Sequence, residues 1–391
     1  MVIISLIKKL FFIFKLKMRL FFLNFIIYGR AKLLAAKRRL NLLLYKEFDP
    51  YPKVLDNIYL SPSDIINDNK KFIDKKLNYQ FNSATTNLWK NKARNKLLEL
   101  LSINNNLYCK EKFSSEKIIK QEYIRKRIYL EFSKFRHTPI DIITKNDVSN
   151  FKGIILCMQG SNSGAHLNLG EIRMPADVYK VANGSSLALQ AADEGFIAVS
   201  YERIGFGERR ERKLKKPNLP PNIDFSFHSL LMGSTSLGET VLEISLIVKW
   251  LKHKYKKSNL WIKGYSEAGT VAILAAAIDK NIDGIAIGGC VGLTSDTLLK
   301  RGASGINAIP NLLNWYDQDA IISLISPRPC IIIAGIKDHI YPYKLAIKAL
   351  KLPKVIYKKD NAENKLVLIK GNKGHTYYPN LVWPEILKLF N

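Results

Sequence analysis

Cysteine is scarce in this chain. Only Cys109, Cys157, Cys290 and Cys330 occur in 391 residues, far apart, with no C-x-x-C pair and no Cys/His cluster. That pattern excludes a disulfide framework and a structural zinc site. Three of the four lie in apolar runs that read as buried strands, so they are expected to be inert thiols of a reducing compartment. Long hydrophobic runs are missing as well. Met1–Ile7, Leu10–Phe14 and Leu20–Tyr28 are each cut off by lysine or arginine, and none reaches the ~20 residues that span a bilayer. No small-residue cleavage site follows an uninterrupted apolar core, so a cleaved secretory signal is not expected. There is no internal repeat.

Acidic residues are also in short supply: 33 against 61 basic ones, a formal net charge of +28. Such an excess first suggests nucleic acid or an anionic membrane. Only 15 of the 61 are arginine, however, and lysine, isoleucine and asparagine are abundant throughout. A solvated lysine-rich surface accounts for that composition, and nucleic acid is not an expected partner. The excess is concentrated in residues 1–46, which hold 11 basic residues and no acid. A basic segment with Phe, Leu and Ile faces suits a helix lying in an anionic membrane interface. The expectation is therefore a cytoplasmic protein, peripheral to the inner face of the membrane through residues 1–46. A helix docked on the domain and an uncleaved signal anchor are the alternatives.

The expected organisation has three parts: the basic amphipathic arm (1–46), a polar, partly helical lead-in (47–118), and a catalytic domain (119–391). Within the lead-in, "NLWKNKARNKLLELLSI" (87–103) reads as a helix with a leucine stripe. From about residue 120 the texture changes. "EYIRKRIYLEF" and "PIDIITK" alternate like half-buried strands. "GIILCMQG" (153–160), "FIAVSYE" (196–202), "NLWIKGY", "GIAIGGCVGL" (284–293), "PCIIIAGIKD" (329–338) and "KLVLIKG" are continuous apolar runs, as strands buried on both faces are. Helical stretches such as "SSLALQAADEG" and "SLGETVLEISLIVKWLKHKY" separate them. This alternation predicts an α/β fold: a doubly wound, mostly parallel sheet with helices on both faces.

In such a sheet, function gathers at the carboxyl ends of the strands. Four ends carry suggestive residues: Ser266, Asp338, His375 and the loop "QGSNSG" (159–164). "GYSEAG" places Ser266 where a sharp strand-to-helix turn projects the hydroxyl outward, close to the pattern G-x-S-x-G. A serine is a weak nucleophile unless a base takes its proton, and histidine is the usual base. A carboxylate then fixes the imidazole tautomer and stabilises the imidazolium. A glycine-rich loop can aim a backbone N–H at the developing oxyanion. Asp296, after the preceding strand, competes with Asp338 as the acid.

Three further stretches extend the pattern: "LALQAADEGFIAVSYERIGFGER" (187–209), "LMGSTSLGETVLEISLIVKWL" (231–251) and "ISPRPCIIIAGIKDHIYP" (325–342). With the elbow they make residues 85–391 resemble the α/β-hydrolase superfamily, most closely its dienelactone-hydrolase and acetyl-xylan-esterase-like branch. The resemblance implies Ser266 as nucleophile, Asp338 as acid and His375 as base, with the N–H groups of Glu267 and Ser161 forming the oxyanion hole. It implies hydrolysis of a small carboxylic ester, such as an acetylated carbohydrate, through an acyl-enzyme, with no cofactor and no metal. An acyltransferase on the same triad, or an inactive membrane-associated binding protein, are the alternatives.

The chain departs from the pattern at three places. Ala268 replaces the elbow glycine, where a small side chain is the main demand. Gln159 stands where many such enzymes have histidine, and with His166 it is a candidate for substrate contact. Glu267 puts a carboxylate beside the nucleophile, where it would repel an oxyanion if it pointed inward. Glu202, Arg203, Glu208 and Arg209 are expected to form an ion-pair cluster that holds their loop, with Glu171 and Arg173 doing likewise. His339 is expected to be structural or exposed.

Overall fold

The computed structural model describes residues 61–73, 86–103, 106–218, 222–256, 258–301 and 307–390, together with Leu40 and Ile58. The chain forms two compact units, residues 1–71 with 174–178 and residues 72–173 with 179–391. The arm expected at 1–46 lies outside the described residues, Leu40 excepted. In the first unit, helix α1 (Pro62–Asn69) starts at Ser61, whose hydroxyl accepts the Ser63 N–H at 3.3 Å. The Asp64 carboxylate accepts the Ser61 N–H at 3.1 Å in return. Pro62 sits in the first turn, where its missing N–H costs no bond.

The second unit is built on nine strands: β1 (Lys110–Ile119), β2 (Tyr123–Ser133), β3 (Arg136–Lys145), β4 (Ile154–Met158), β5 (Ile197–Tyr201), β6 (Leu260–Tyr265), β7 (Gly284–Gly288), β8 (Cys330–Gly335) and β9 (Leu366–Gly371). They form one sheet in the order β1-β2-β3-β5-β4-β6-β7-β8-β9. The pairs β1–β2, β2–β3 and β3–β5 are antiparallel. Every pair from β5 onward is parallel. This is the mostly parallel α/β sheet the sequence predicts. β4 through β8 are buried at every position, which is why their sequences run apolar without alternation. β2 alternates, and its buried residues change face along the strand: Tyr123 and Arg125 on one side, Ile128, Leu130 and Phe132 on the other.

The sheet is flanked by helices that include α2 (Thr86–Leu100), α3 (Leu187–Asp193), α4 (Ser236–Lys254), α5 (Glu267–Ile278), α6 (Gln318–Ser323), α7 (Lys351–Lys359) and α8 (Pro379–Phe390). Side-chain alternation splits the core into two layers. Ile154, Leu156, Leu260 and Ile262 face a cluster shared with α2, α4, α5, α6 and α7. Ile155, Cys157, Trp261 and Ala286 face a smaller one closed by α3 and α8. Trp89, Ala93, Leu97 and Leu100 give α2 its buried stripe, while Leu98 faces outward. Burying each large aliphatic side chain in these layers stabilises the fold by about 1.5–3 kcal/mol.

β1 lies inside the stretch read as a polar lead-in. Its sequence, KEKFSSEKII, is exposed at nine of ten positions, so no apolar face marks it as a strand. It is held instead by its antiparallel ladder with β2. Lysines along such an edge also discourage pairing with another chain.

Candidate active site

Ser266 leaves β6 with φ 58° and ψ −130°. A positive φ is strained for a residue with a Cβ, at an order of 1–3 kcal/mol. The turn is held by its neighbours. The Ser266 N–H donates to the Gly288 carbonyl at 2.7 Å, and the Ser266 carbonyl accepts the Gly269 N–H at 2.8 Å. Gly160, after β4, passes so close that a Cβ there would sit 2.6 Å from the Tyr265 carbonyl and 2.9 Å from Ser266 Cβ. Ala268 is fully buried in the helix-side core, so the departure from glycine at this position is accommodated.

His375 and Asp338, 37 residues apart, meet where β8 and β9 end: His375 Nδ1 lies 2.8 Å from Asp338 Oδ2. The other carboxylate oxygen accepts the N–H groups of Ile340 at 2.7 Å and Tyr341 at 3.0 Å. Burial pushes this carboxyl upward, but the His375 bond and charge and those two N–H groups outweigh it and hold it below the ordinary range. The Tyr265 ring packs edge-on against the imidazole at 5.1 Å. Gly289 (φ 61°) has no room for a side chain, since a Cβ would lie 2.9 Å from His375 Cε1. His375 thus abuts Gly289 while the Ser266 backbone bonds the preceding residue, Gly288, so both lie at the end of β7.

Asp296 is elsewhere. It pairs with Lys300 at 2.9 Å and Lys348 at 2.5 Å, whose hydrogen bonds hold its carboxyl low. His339 is a ring neighbour of His375 at 6.2 Å.

Glu267 does not face outward. Its carboxylate is buried, with one oxygen 3.0 Å from Arg203 Nη1 and the other accepting from Ser161 Oγ. As the first residue of α5, Glu267 has an N–H without an intrahelical acceptor. A Cβ on Gly160 would lie 3.6 Å from that nitrogen, so the loop preceding Ser161 runs directly past it.

Gln159, a candidate for substrate contact, is buried and engaged at every polar position. Its Nε2 donates to Asn168 Oδ1 at 2.6 Å and to the Ser185 carbonyl at 2.7 Å. Its Oε1 accepts from Tyr377 at 2.6 Å and Asn162 at 3.2 Å. It braces the loop and has no hydrogen bond left to offer a ligand. His166 is also buried, with Nε2 3.3 Å from Ser163 Oγ.

The expected ion-pair cluster divides. Arg203 goes to Glu267, Arg209 to Glu243 at 2.7 Å, and Glu208 to Arg127 at 2.9 Å. Glu202 accepts the N–H groups of Ala165 and Glu208. Glu171 and Arg173 do pair, at 2.7 Å. The residues sequence reasoning missed are Asn162, Tyr265 and Tyr377. The two tyrosine rings pack at 4.7 Å, and nothing in "GYSEAG" or "GHTYYP" marks them, because they act through remote partners. Among the described residues, no group of His, Cys, Asp and Glu is arranged to hold a metal.

Known proteins agree with this architecture. Solved structures with the same fold include an assigned acetyl xylan esterase from Bacteroides fragilis: 15% identity, 85% of this chain and 86% of that one, TM-score 0.64. A CE15 esterase from a marine bacterial metagenome matches at 12% identity over 82% and 96%, TM-score 0.59. A glucuronoyl esterase from Solibacter usitatus matches at 12% identity over 78% and 93%, TM-score 0.56. No curated protein matches the chain. The model of the Abhydrolase family matches residues 53–356, most of the chain, and this protein therefore belongs to that α/β-hydrolase family.

Proposed function

We propose that this protein is a serine hydrolase of carboxylic esters, with Ser266 as nucleophile, His375 as general base and acid, and Asp338 as the orienting carboxylate. The observation that carries the reading is the His375–Asp338 pair set at the end of β7 with a serine in a strained elbow. His375 Nδ1, bonded to Asp338, leaves Nε2 as the nitrogen available to the serine proton. Attack by Ser266 Oγ on the ester carbonyl forms a tetrahedral intermediate, whose oxyanion is taken by the N–H groups of Glu267 and Ser161. His375 returns the proton to the departing alcohol, and the acyl-enzyme is then hydrolysed by a water that His375 deprotonates. Residues of this chain supply every group those steps use.

The structural relatives bear the names acetyl xylan esterase and glucuronoyl esterase, which favours a carbohydrate ester, such as an acetylated sugar, as the substrate class. An acyltransferase differs only in using an alcohol or amine where the hydrolase uses water.

A fluorophosphonate probe should label Ser266, with the modified residue located by peptide mass spectrometry. Ser266→Ala should lose labelling and turnover of p-nitrophenyl acetate by several orders of magnitude, because triad members act as a unit. Its far-UV spectrum and melting should persist, since the side chain is half-exposed at a strand end. Wild-type turnover by Ser266→Ala would overturn the assignment.

A further inference from the structure

A carboxylate beside the nucleophile is a hazard. Glu267 follows Ser266 directly, and an unneutralised charge there opposes the negative oxygen that develops during acyl transfer. The surroundings of Glu267 show how that conflict is met. Arg203 enters from the end of β5, only 3% exposed, with its guanidinium stacked on Phe206 at 4.4 Å. Its Nη1 lies 3.0 Å from Glu267 Oε1. Its Nε donates to the Gln159 carbonyl at 2.9 Å. The second oxygen of Glu267 accepts from Ser161 Oγ. One planar guanidinium thus grips the 159–161 loop and residue 267 together, and Glu267 closes the ring through Ser161.

We propose that Arg203 and Glu267 are a positioning pair that fixes the separation of the two oxyanion donors, Ser161 N–H and Glu267 N–H, while Arg203 cancels the Glu267 charge. The proposal rests on the reading of Ser266 as nucleophile. A buried ion pair is by itself weak support for stability, and apolar replacements often serve as well. This pair instead ties together the two segments that carry the oxyanion donors, which no apolar replacement does. Arginine suits the task because its fork reaches two acceptors at fixed angles, whereas lysine offers a point charge. Neither side chain needs to touch the substrate.

The test is steady-state kinetics on p-nitrophenyl acetate for Arg203→Met, Glu267→Gln, the double variant and Arg203→Lys, with Ser266→Ala as reference. Losing one oxyanion donor costs about 10²–10³-fold in kcat, and Arg203→Met should approach that loss with KM nearly unchanged. Adding Glu267→Gln to Arg203→Met should recover about tenfold, because the amide removes the repulsion and still bonds Ser161. Arg203→Lys should recover less than the double variant does. A purely structural role predicts that the double variant is no better than Arg203→Met, or that the loss lies in KM, and either result overturns the proposal. Should Arg203→Met fail to fold, Glu267→Gln carries the test alone. A several-fold lower kcat at constant KM supports the pair, and an unchanged kcat overturns it. Turnover by Ser266→Ala would instead discard the nucleophile assignment. An inactive Ser266→Ala, with Arg203→Met labelled by fluorophosphonate at the wild-type rate, would discard only the pair.

Discussion

Two aspartates follow successive strands of this sheet, and the sequence favours Asp338 as the acid with Asp296 as its competitor. The structure puts Asp338 on His375 at 2.8 Å and Asp296 between Lys300 and Lys348. Local sequence favours Asp338 through the shortness of "GIKDHIYP", but it does not reveal that Asp317 receives the N–H groups of Thr294 and Ser295. Those bonds anchor the 294–297 loop and leave Asp296 to the two lysines. Asp338→Asn should therefore fold and lose about 10⁴ in turnover, the loss seen when a triad carboxylate no longer sets the imidazole tautomer. Asp296→Asn should keep its activity, with stability lower by about 1 kcal/mol or less, as for partly exposed ion pairs. Kinetics and thermal melts of the two variants check both outcomes, and the reverse pattern would move the acid to Asp296. The same limit applies to Gln159. Its position after β4 was legible, but its four hydrogen-bond partners come from the distant residues Asn162, Asn168, Ser185 and Tyr377.

At the scale of elements, apolar runs located β4 through β8, because burial on both faces writes itself into the residues; alternation marked β2 and β3, and β9, though apolar, is only partly buried. β1 carries no such mark. β6 holds an anomaly of the opposite kind: Lys263 lies within a buried strand at 6% exposure. Its ammonium sits over the Trp383 ring at 3.8 Å and 3.4 Å from Gln190 Oε1. Burial pushes this amine down to about 7, opposed by the charges of Cys157 and Glu194. Cys157 stands opposite it on β4, with its own thiol pushed up to about 12 by burial. The sign of the linkage follows. Between about pH 7 and the ~10.4 of an unfolded lysine, the unfolded chain binds the extra proton, so stability rises with pH across that window. Below pH 7 both states are charged and the folded one carries the whole desolvation cost. Lys263→Met should raise the melting temperature most at pH 6 and little at pH 10. The gain is at most about 5 kcal/mol, and the Trp383 face reduces it. An equal shift at both pH values would show that the amine stays charged in the folded protein.

For the whole molecule, the question is where its charge acts. The arm at 1–46 holds 11 basic residues and no acid, and we propose that it binds anionic lipid. Each basic residue near such a surface contributes about 1 kcal/mol, and salt screens it away. The full chain should cosediment with phosphatidylglycerol vesicles at low salt and be released as salt rises, and a chain starting at Phe48 should not bind. Equal binding by the shortened chain would remove the arm from consideration. Among the described residues, no single helix is long and apolar enough to cross a membrane.

The sequence by itself determined the order of β2 through β9 with the helices between them, and the strand ends at which Ser266, Asp338 and His375 stand. Both follow from short-range patterns: an apolar run, a small-residue turn, a spacing. Only the tertiary structure decided which aspartate meets the histidine, that Gln159 is a brace, and that Glu267 turns to Arg203. Those outcomes rest on side chains separated by 37, 218 and 64 residues. A pairing over such distances is set by which strand ends the sheet brings side by side, and no local preference of the chain encodes it.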